Sequence, residues 1–255
     1  MYADCPLCAR LPPDRTAIIR YPAPVAADEW LADDRIRGAF IGLALGDGFG
    51  GLDGPAINDL ATVPAPGTLV TGGATQLGLF TAESIIRMDL RFTAKGIGPA
   101  WAVIQHGLQR WAWTQGSAGP FSFAQDSSSW PDGWVVRQHS LHRTASGFAG
   151  TLAALESTRD VGSELAQARE VKNRPNRSDG RGALVRVGLT GTIIERERAF
   201  LAGAVAASYT HGGSDGYLSS GVLSRVVAGL LAGEEPAAAQ RAAIQECAPG
   251  RTAVD

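Results

Sequence analysis

Apolar residues recur along this chain at helical spacing, and no alternating run of strand length interrupts them. Ile36, Phe40, Leu43 and Ala44 fall at i, i+4, i+7 and i+8, with Asp33 or Asp34 placed to cap the helix they predict. On that same helix Gly38, Gly42 and Gly46 recur every four residues, a smooth stripe against which another helix can pack closely. Leu79, Ala82 and Ile86 predict a second helix over about 75–88, and Trp101, Ile104, Leu108 and Trp111 a third over about 97–113. A short alanine-rich helix is expected at about 147–157 and another at about 197–208, stopped near Thr210-His211-Gly212 by the glycine. Leu223, Val226, Val227, Leu230 and Leu231 mark a helix over about 215–232, and 237–247 forms a last one. Between these lie a glycine-rich loop, Gly46 to Gly54, carrying Asp47 and Asp53, and loops at 55–70, 114–133 and 171–182. Pro12, Pro13, Pro22 and Pro24 break any regular pattern at the start. The expectation is an irregular arm over 1–30 and one all-α domain over 31–255.

Composition agrees and removes several function classes. A chain of 255 residues, 45% apolar and 19% charged, is long enough for one sizeable core. Its net charge of -2 provides no basic field for nucleic acid or an anionic membrane surface. No run approaches the ~20 apolar residues of a membrane span, and residues 1–20 lack the charged-then-apolar order of a secretory signal. Cys5, Cys8 and Cys247 are odd in number and form no disulfide framework, which points to a reducing, cytoplasmic setting. Cys5-x-x-Cys8 is half of a zinc knuckle, and no second pair follows at knuckle spacing. It reads either as two free thiols on the arm or as a zinc half-site, which His139 and His142 can complete only through the fold.

Three separated stretches carry a resemblance. The first is Arg35-Ile36-Arg37-Gly38-Ala39-Phe40-Ile41-Gly42-Leu43-Ala44-Leu45-Gly46-Asp47-Gly48-Phe49-Gly50. The second is Gly72-Gly73-Ala74-Thr75-Gln76-Leu77-Gly78-Leu79-Phe80-Thr81-Ala82-Glu83. The third joins Ser178-Asp179-Gly180-Arg181-Gly182 and Arg186 to Thr210-His211-Gly212. In this order and spacing they resemble the ADP-ribosylglycohydrolase family, which has Gly-Asp-Ala-Leu-Gly, Thr-Asp-Asp-Thr-Gln, a glycine loop before Met-Arg, and Thr-His-Gly. The resemblance implies an orthogonal all-α bundle. It also implies an enzyme that cleaves ADP-ribose from an acceptor group with two magnesium ions, held by hard oxygen ligands.

The same comparison shows what is missing. Gly72, Gly73 and Ala74 stand where the resemblance places Thr-Asp-Asp, and only Thr75 is kept. Glycine and alanine bring neither a side-chain oxygen nor a charge to offset a divalent ion. The family's second ligand set, an Asp-x-Asp-Thr/Ser motif, has no counterpart before Asp255. The expectation is a pseudoenzyme without magnesium or other cofactor, binding an ADP-ribose-like molecule or an ADP-ribosylated or paralogous protein. Thr75, Ser178, Gly180, Gly182 and His211 are its candidate ligand-binding residues. The alternative is a metal-independent hydrolase using Asp47 and Asp53.

Each candidate has a plainer reading. Asp47 caps the Gly46–Gly50 turn, His211 binds a backbone carbonyl at a helix end, Arg186 makes a structural salt bridge, and Trp101 and Trp111 belong to the core. Loss of the family's C-terminal helices would expose apolar surface, from which a homo-oligomer is expected.

Overall fold

In a computed structural model, residues 34–51, 69–95, 101–117, 132–157 and 176–247 are described. The predicted arm, with Cys5 and Cys8, lies outside them, as do Asp53 and residues 248–255. All regular structure among the described residues is helical. The order is α1 (Asp34–Gly50), α2 (Gly73–Lys95), α3 (Trp101–Thr114), a 3₁₀ turn (His139–Leu141) and α4 (Ala149–Ser157). Then come α5 (Gly182–Val187), a second 3₁₀ turn (Gly188–Thr192), α6 (Arg196–Ser208), α7 (Ser214–Leu231) and α8 (Pro236–Cys247).

The expected helices are all present, with two notable differences. The glycine loop after Gly46 is not a loop at its start: α1 continues to Gly50, so Asp47 projects from its final turn. Helix α2 begins two residues earlier and ends seven later than the apolar spacing predicts. Helix α5 and the turn after it were not legible, because six residues carry less than two turns of periodicity.

The core joins α2, α3, α6 and α7. Leu77, Phe80, Ile85 and Met88 of α2 meet Ile104, Leu108 and Trp111 of α3, all essentially inaccessible. Each such side chain contributes roughly 1.5–3 kcal/mol by leaving water. Helices α6 and α7 lie closer than side chains larger than glycine would permit. A methyl group added at Gly203 would sit 2.6 Å from Ser224 Cβ, and one at Gly221 would sit 2.7 Å from the Phe200 carbonyl oxygen. Residues 132–135 are tied to α2 and α3 by charge: the buried Glu83 carboxylate accepts from the N–H groups of Trp134 (2.9 Å) and Val135 (3.0 Å) and from Arg87 Nε (2.8 Å). Asp132 in turn accepts from Arg87 and Arg110.

Helix α1 packs its Leu43 against Gly78 of α2, where an added methyl would come within 2.7 Å of Leu43 Cδ2. The Gly38, Gly42 and Gly46 stripe meets no other helix among the described residues. Among the described residues nothing lies within 4 Å of a methyl added at any of the three, and Ile41 and Leu45 beside them are exposed.

Candidate functional site

Asp47 leaves the last turn of α1 and meets the start of α2. Its Oδ2 accepts from the backbone N–H of Gly72 (2.7 Å) and of Thr75 (2.8 Å). The first N–H groups of any helix lack partners within the helix, and Asp47 supplies them from another element, with its charge favourably placed at the positive end of the α2 dipole. Of the two sequence readings, capping is realised, but the N-terminus capped is that of α2 and not the Gly46–Gly50 turn. Replacement of Asp47 by alanine is expected to cost about 1–2 kcal/mol, as lost caps do, visible as a lower urea midpoint at unchanged slope. A midpoint equal to wild type would mean that water replaces the carboxylate without loss.

Gly73 is buried one residue further along, and its missing side chain is accounted for by its neighbours. A Cβ built there would sit 2.5 Å from Phe148 Cδ2 and 2.7 Å from both Phe148 Cε2 and Ala145 Cβ. The phenyl ring thus occupies the space into which an aspartate at position 73 would grow. The segment leading to Phe148 is tied to α2 and to the end of α3. Gln76 Nε2 donates to the carbonyl of Arg143 (2.9 Å), while Gln76 Oε1 accepts from Trp111 Nε1 (3.0 Å) and Gln115 Nε2 (3.1 Å). Gln115 Oε1 accepts from the N–H of Ala145 (2.8 Å). The Trp111 indole also meets the Phe148 ring edge-on, with centroids 6.4 Å apart. Phe148 and Gln115 were not legible as part of a site; Gln76 was marked only by its place in the second motif, and the doubled glycine at 72–73 was the other signal.

The far edge of the same ring reaches the second half of the site. A methyl at Gly182 would lie 3.7 Å from Phe148 Cε1 and 3.3 Å from His211 Nε2; one at Gly180 would lie 3.5 Å from that nitrogen. The 176–182 loop is riveted to the turn after α6. Asn176 donates to the Thr210 carbonyl (2.9 Å) and accepts from Ser178 N (2.9 Å) and Gly212 N (3.0 Å). Asp179 accepts from the N–H groups of Asp215 (3.0 Å) and Gly216 (3.2 Å), capping α7. The N–H of Gly180 bonds to Ser178 Oγ at 3.2 Å. Ser178, Gly180, Gly182 and His211 are therefore brought together, and Phe148 separates them from Gly73 and the start of α2.

His211 belongs to a buried relay. Arg186 is wholly inaccessible and donates to the Ala206 carbonyl (3.2 and 3.3 Å) and to Thr210 Oγ1. No carboxylate among the described residues pairs with it, so the salt bridge read from the sequence gives way to a carbonyl anchor. Burial alone pulls its guanidinium down to about 9. Thr210 Oγ1, accepting from Arg186, has its own proton to give, and His211 Nδ1 lies 2.9 Å away, against 3.4 Å for the Ala207 carbonyl. With the hydroxyl proton on the shorter of these contacts, Nδ1 accepts and the ring proton sits on Nε2, on the side of the glycine loop. Burial, with Arg186 nearby, lowers the imidazole to about 4, so it is neutral near pH 7. Trp111 is core, as its spacing predicted.

These residues do not fit a magnesium pair. The ring of Phe148 fills the first aspartate's place, the Oδ2 of Asp47 is engaged by two backbone N–H groups, and no group of three or more His, Cys, Asp or Glu side chains among the described residues is placed to hold a metal ion. None of the described helices is long and apolar enough to cross a membrane. No curated protein and no solved structure matches the chain significantly. A family model does: that of ADP-ribosylglycohydrolase, over residues 29–253. With the ordered motifs and the all-helical fold, this match places the chain in the ADP-ribosylglycohydrolase family.

Proposed function

We propose that this protein is a non-hydrolytic member of its family, which binds an ADP-ribose-like ligand without magnesium. The observation that carries the proposal is the phenyl ring of Phe148 lying 2.5 Å from a Cβ at position 73, where the family's chemistry requires a carboxylate. A lost ligand alone leaves a vacancy that water or another acid can fill. A ring packed edge-on against Trp111 puts uncharged hydrocarbon where the cation's ligand would stand.

The other half of the site supports binding. His211 offers a neutral Nε2–H with no hydrogen-bond partner among the described residues, beside two glycines whose lack of side chains lets a ligand oxygen approach. A neutral donor suits a hydroxyl or a phosphoryl oxygen. Asp47 does not favour the alternative of a metal-independent hydrolase, because its Oδ2 is engaged by the α2 N-terminus.

Calorimetric titration with ADP-ribose tests this directly. The expected result is saturable binding that is unchanged by magnesium or by a chelator. His211→Ala is expected to weaken it about two- to tenfold, the value of one hydrogen bond of about 0.5–1.5 kcal/mol. Binding that needs magnesium, or release of ADP-ribose from a modified peptide, would restore a hydrolase. Absence of binding at millimolar ligand would remove the small-molecule role.

A further inference from the structure

A second constellation lies in the segment before α4, apart from the residues described above. His139 opens the 3₁₀ turn and His142 closes it, with the N–H of His142 donating to the His139 carbonyl at 3.1 Å. In a 3₁₀ turn side chains three residues apart eclipse one another, and the two imidazoles stand with centroids 5.0 Å apart and planes at 62°. The other described histidines, His106 and His211, lie on separate elements, α3 and the turn after α6. His139 is exposed and His142 half-buried.

We propose that His139 and His142 form a two-histidine site for a divalent transition-metal ion of the zinc or nickel type. Three observations support it. First, the spacing fits: with the metal about 2.0–2.1 Å from each nitrogen and a ring radius of about 1.2 Å, two imidazoles on one tetrahedral ion have centroids about 5 Å apart. Second, His142 is already oriented as a ligand. Its Nε2 lies 2.7 Å from the Val136 carbonyl oxygen; a carbonyl only accepts, so Nε2 carries the proton and the Nδ1 lone pair is available. A carbonyl on the opposite ring nitrogen is the usual support of a metal-binding histidine. Third, Trp113 meets the same ring edge-on at 6.2 Å, which limits its rotation. Two imidazoles and no carboxylate select a borderline ion over magnesium or calcium. Water completes the coordination, which makes this an exchangeable site and not a structural one.

Trp113 also provides a readout independent of any activity. Nickel bound at His142 quenches its fluorescence, so titration of the full chain with Ni²⁺ is expected to give saturable quenching, reversed by excess Zn²⁺. His139→Ala, at an exposed position that does not endanger folding, is expected to weaken binding about 10–100-fold, at least the loss that follows removal of a supporting residue. His142→Ala is expected to do the same, and Trp113→Phe to remove the signal while calorimetry still detects the ion. Cys5→Ser/Cys8→Ser is expected to leave the affinity unchanged. Equal affinity in wild type and His139→Ala, loss of binding in the cysteine variant, or no saturation at millimolar Ni²⁺ would each overturn the assignment.

Discussion

Restoring the two missing carboxylates, as Gly73→Asp with Ala74→Asp, is expected to destabilise this protein by at least about 3 kcal/mol and to confer no magnesium affinity. The first methylene alone meets Phe148 at 2.5 Å and Ala145 at 2.7 Å, closer than real Cβ atoms approach their neighbours. Overpacking of this kind costs about 1–3 kcal/mol. The carboxylate then adds an unpaired buried charge, since positions 73 and 74 are both buried, and a charge without a partner costs several kcal/mol more. Gln76 and Gln115 hold the segment that carries the ring, at Arg143 and Ala145, and the ring itself packs edge-on against Trp111. At about 2–4 °C per kcal/mol for a chain of this size, the melting temperature should fall by roughly 6–12 °C, and added magnesium should not recover it. Phe148→Ala introduced into the Gly73→Asp background is expected to destabilise far less than it does alone, a coupling of at least about 1 kcal/mol between touching sites. A double aspartate variant as stable as wild type, or one stabilised by magnesium, would show that the ring yields and that the pocket remains a metal site.

Acidification is expected to weaken the fold between about pH 6.5 and pH 4, by up to about 3 kcal/mol for each of two histidines. His211 and His106 are both lowered to about 4, by burial first and then by neighbouring arginines: Arg186 for His211, Arg110 and Arg91 for His106. The unfolded chain titrates its histidines near 6.5. Between those values the unfolded state holds more protons than the folded one, so stability falls as pH falls. The contribution is complete above about pH 6.5 and lost as pH falls through about 4. Denaturant midpoints at pH 7, 5.5 and 4.5 should therefore decline steeply in wild type and by about half as much in His211→Gln, whose side chain does not titrate. Parallel declines in the two proteins would mean that His211 is protonated in the fold without penalty, and that burial beside Arg186 does not hold it neutral.

Much of the architecture is local and was therefore legible. Long helices announce themselves by apolar residues at helical spacing, which identified the cores of α2, α3 and α7, and the order of three motifs was enough to suggest the family. Local signals misplace what tertiary contacts finish. The spacing of Leu79, Ala82 and Ile86 put the end of α2 near 88, whereas the helix continues to Lys95. The glycines at 46, 48 and 50 suggested a loop, yet α1 runs through them, with Gly48 buried beside Leu69.

The loss of charge at 73 and 74 was decided by the sequence itself, because no conformation gives glycine or alanine a carboxylate. What fills the loss was not. Phe148 lies 75 positions from Gly73, in an irregular segment with no motif, and it reaches that spot through tertiary contacts: the glutamine bonds to Arg143 and Ala145 and the edge of Trp111. The same holds for His211, whose tautomer depends on Thr210 and on a buried Arg186, and for His139 and His142, which became a pair only through one 3₁₀ turn. Residue chemistry and periodicity are properties of the chain. Which side chain occupies a given space depends on the packing of segments far apart in sequence, and only the folded structure specifies that.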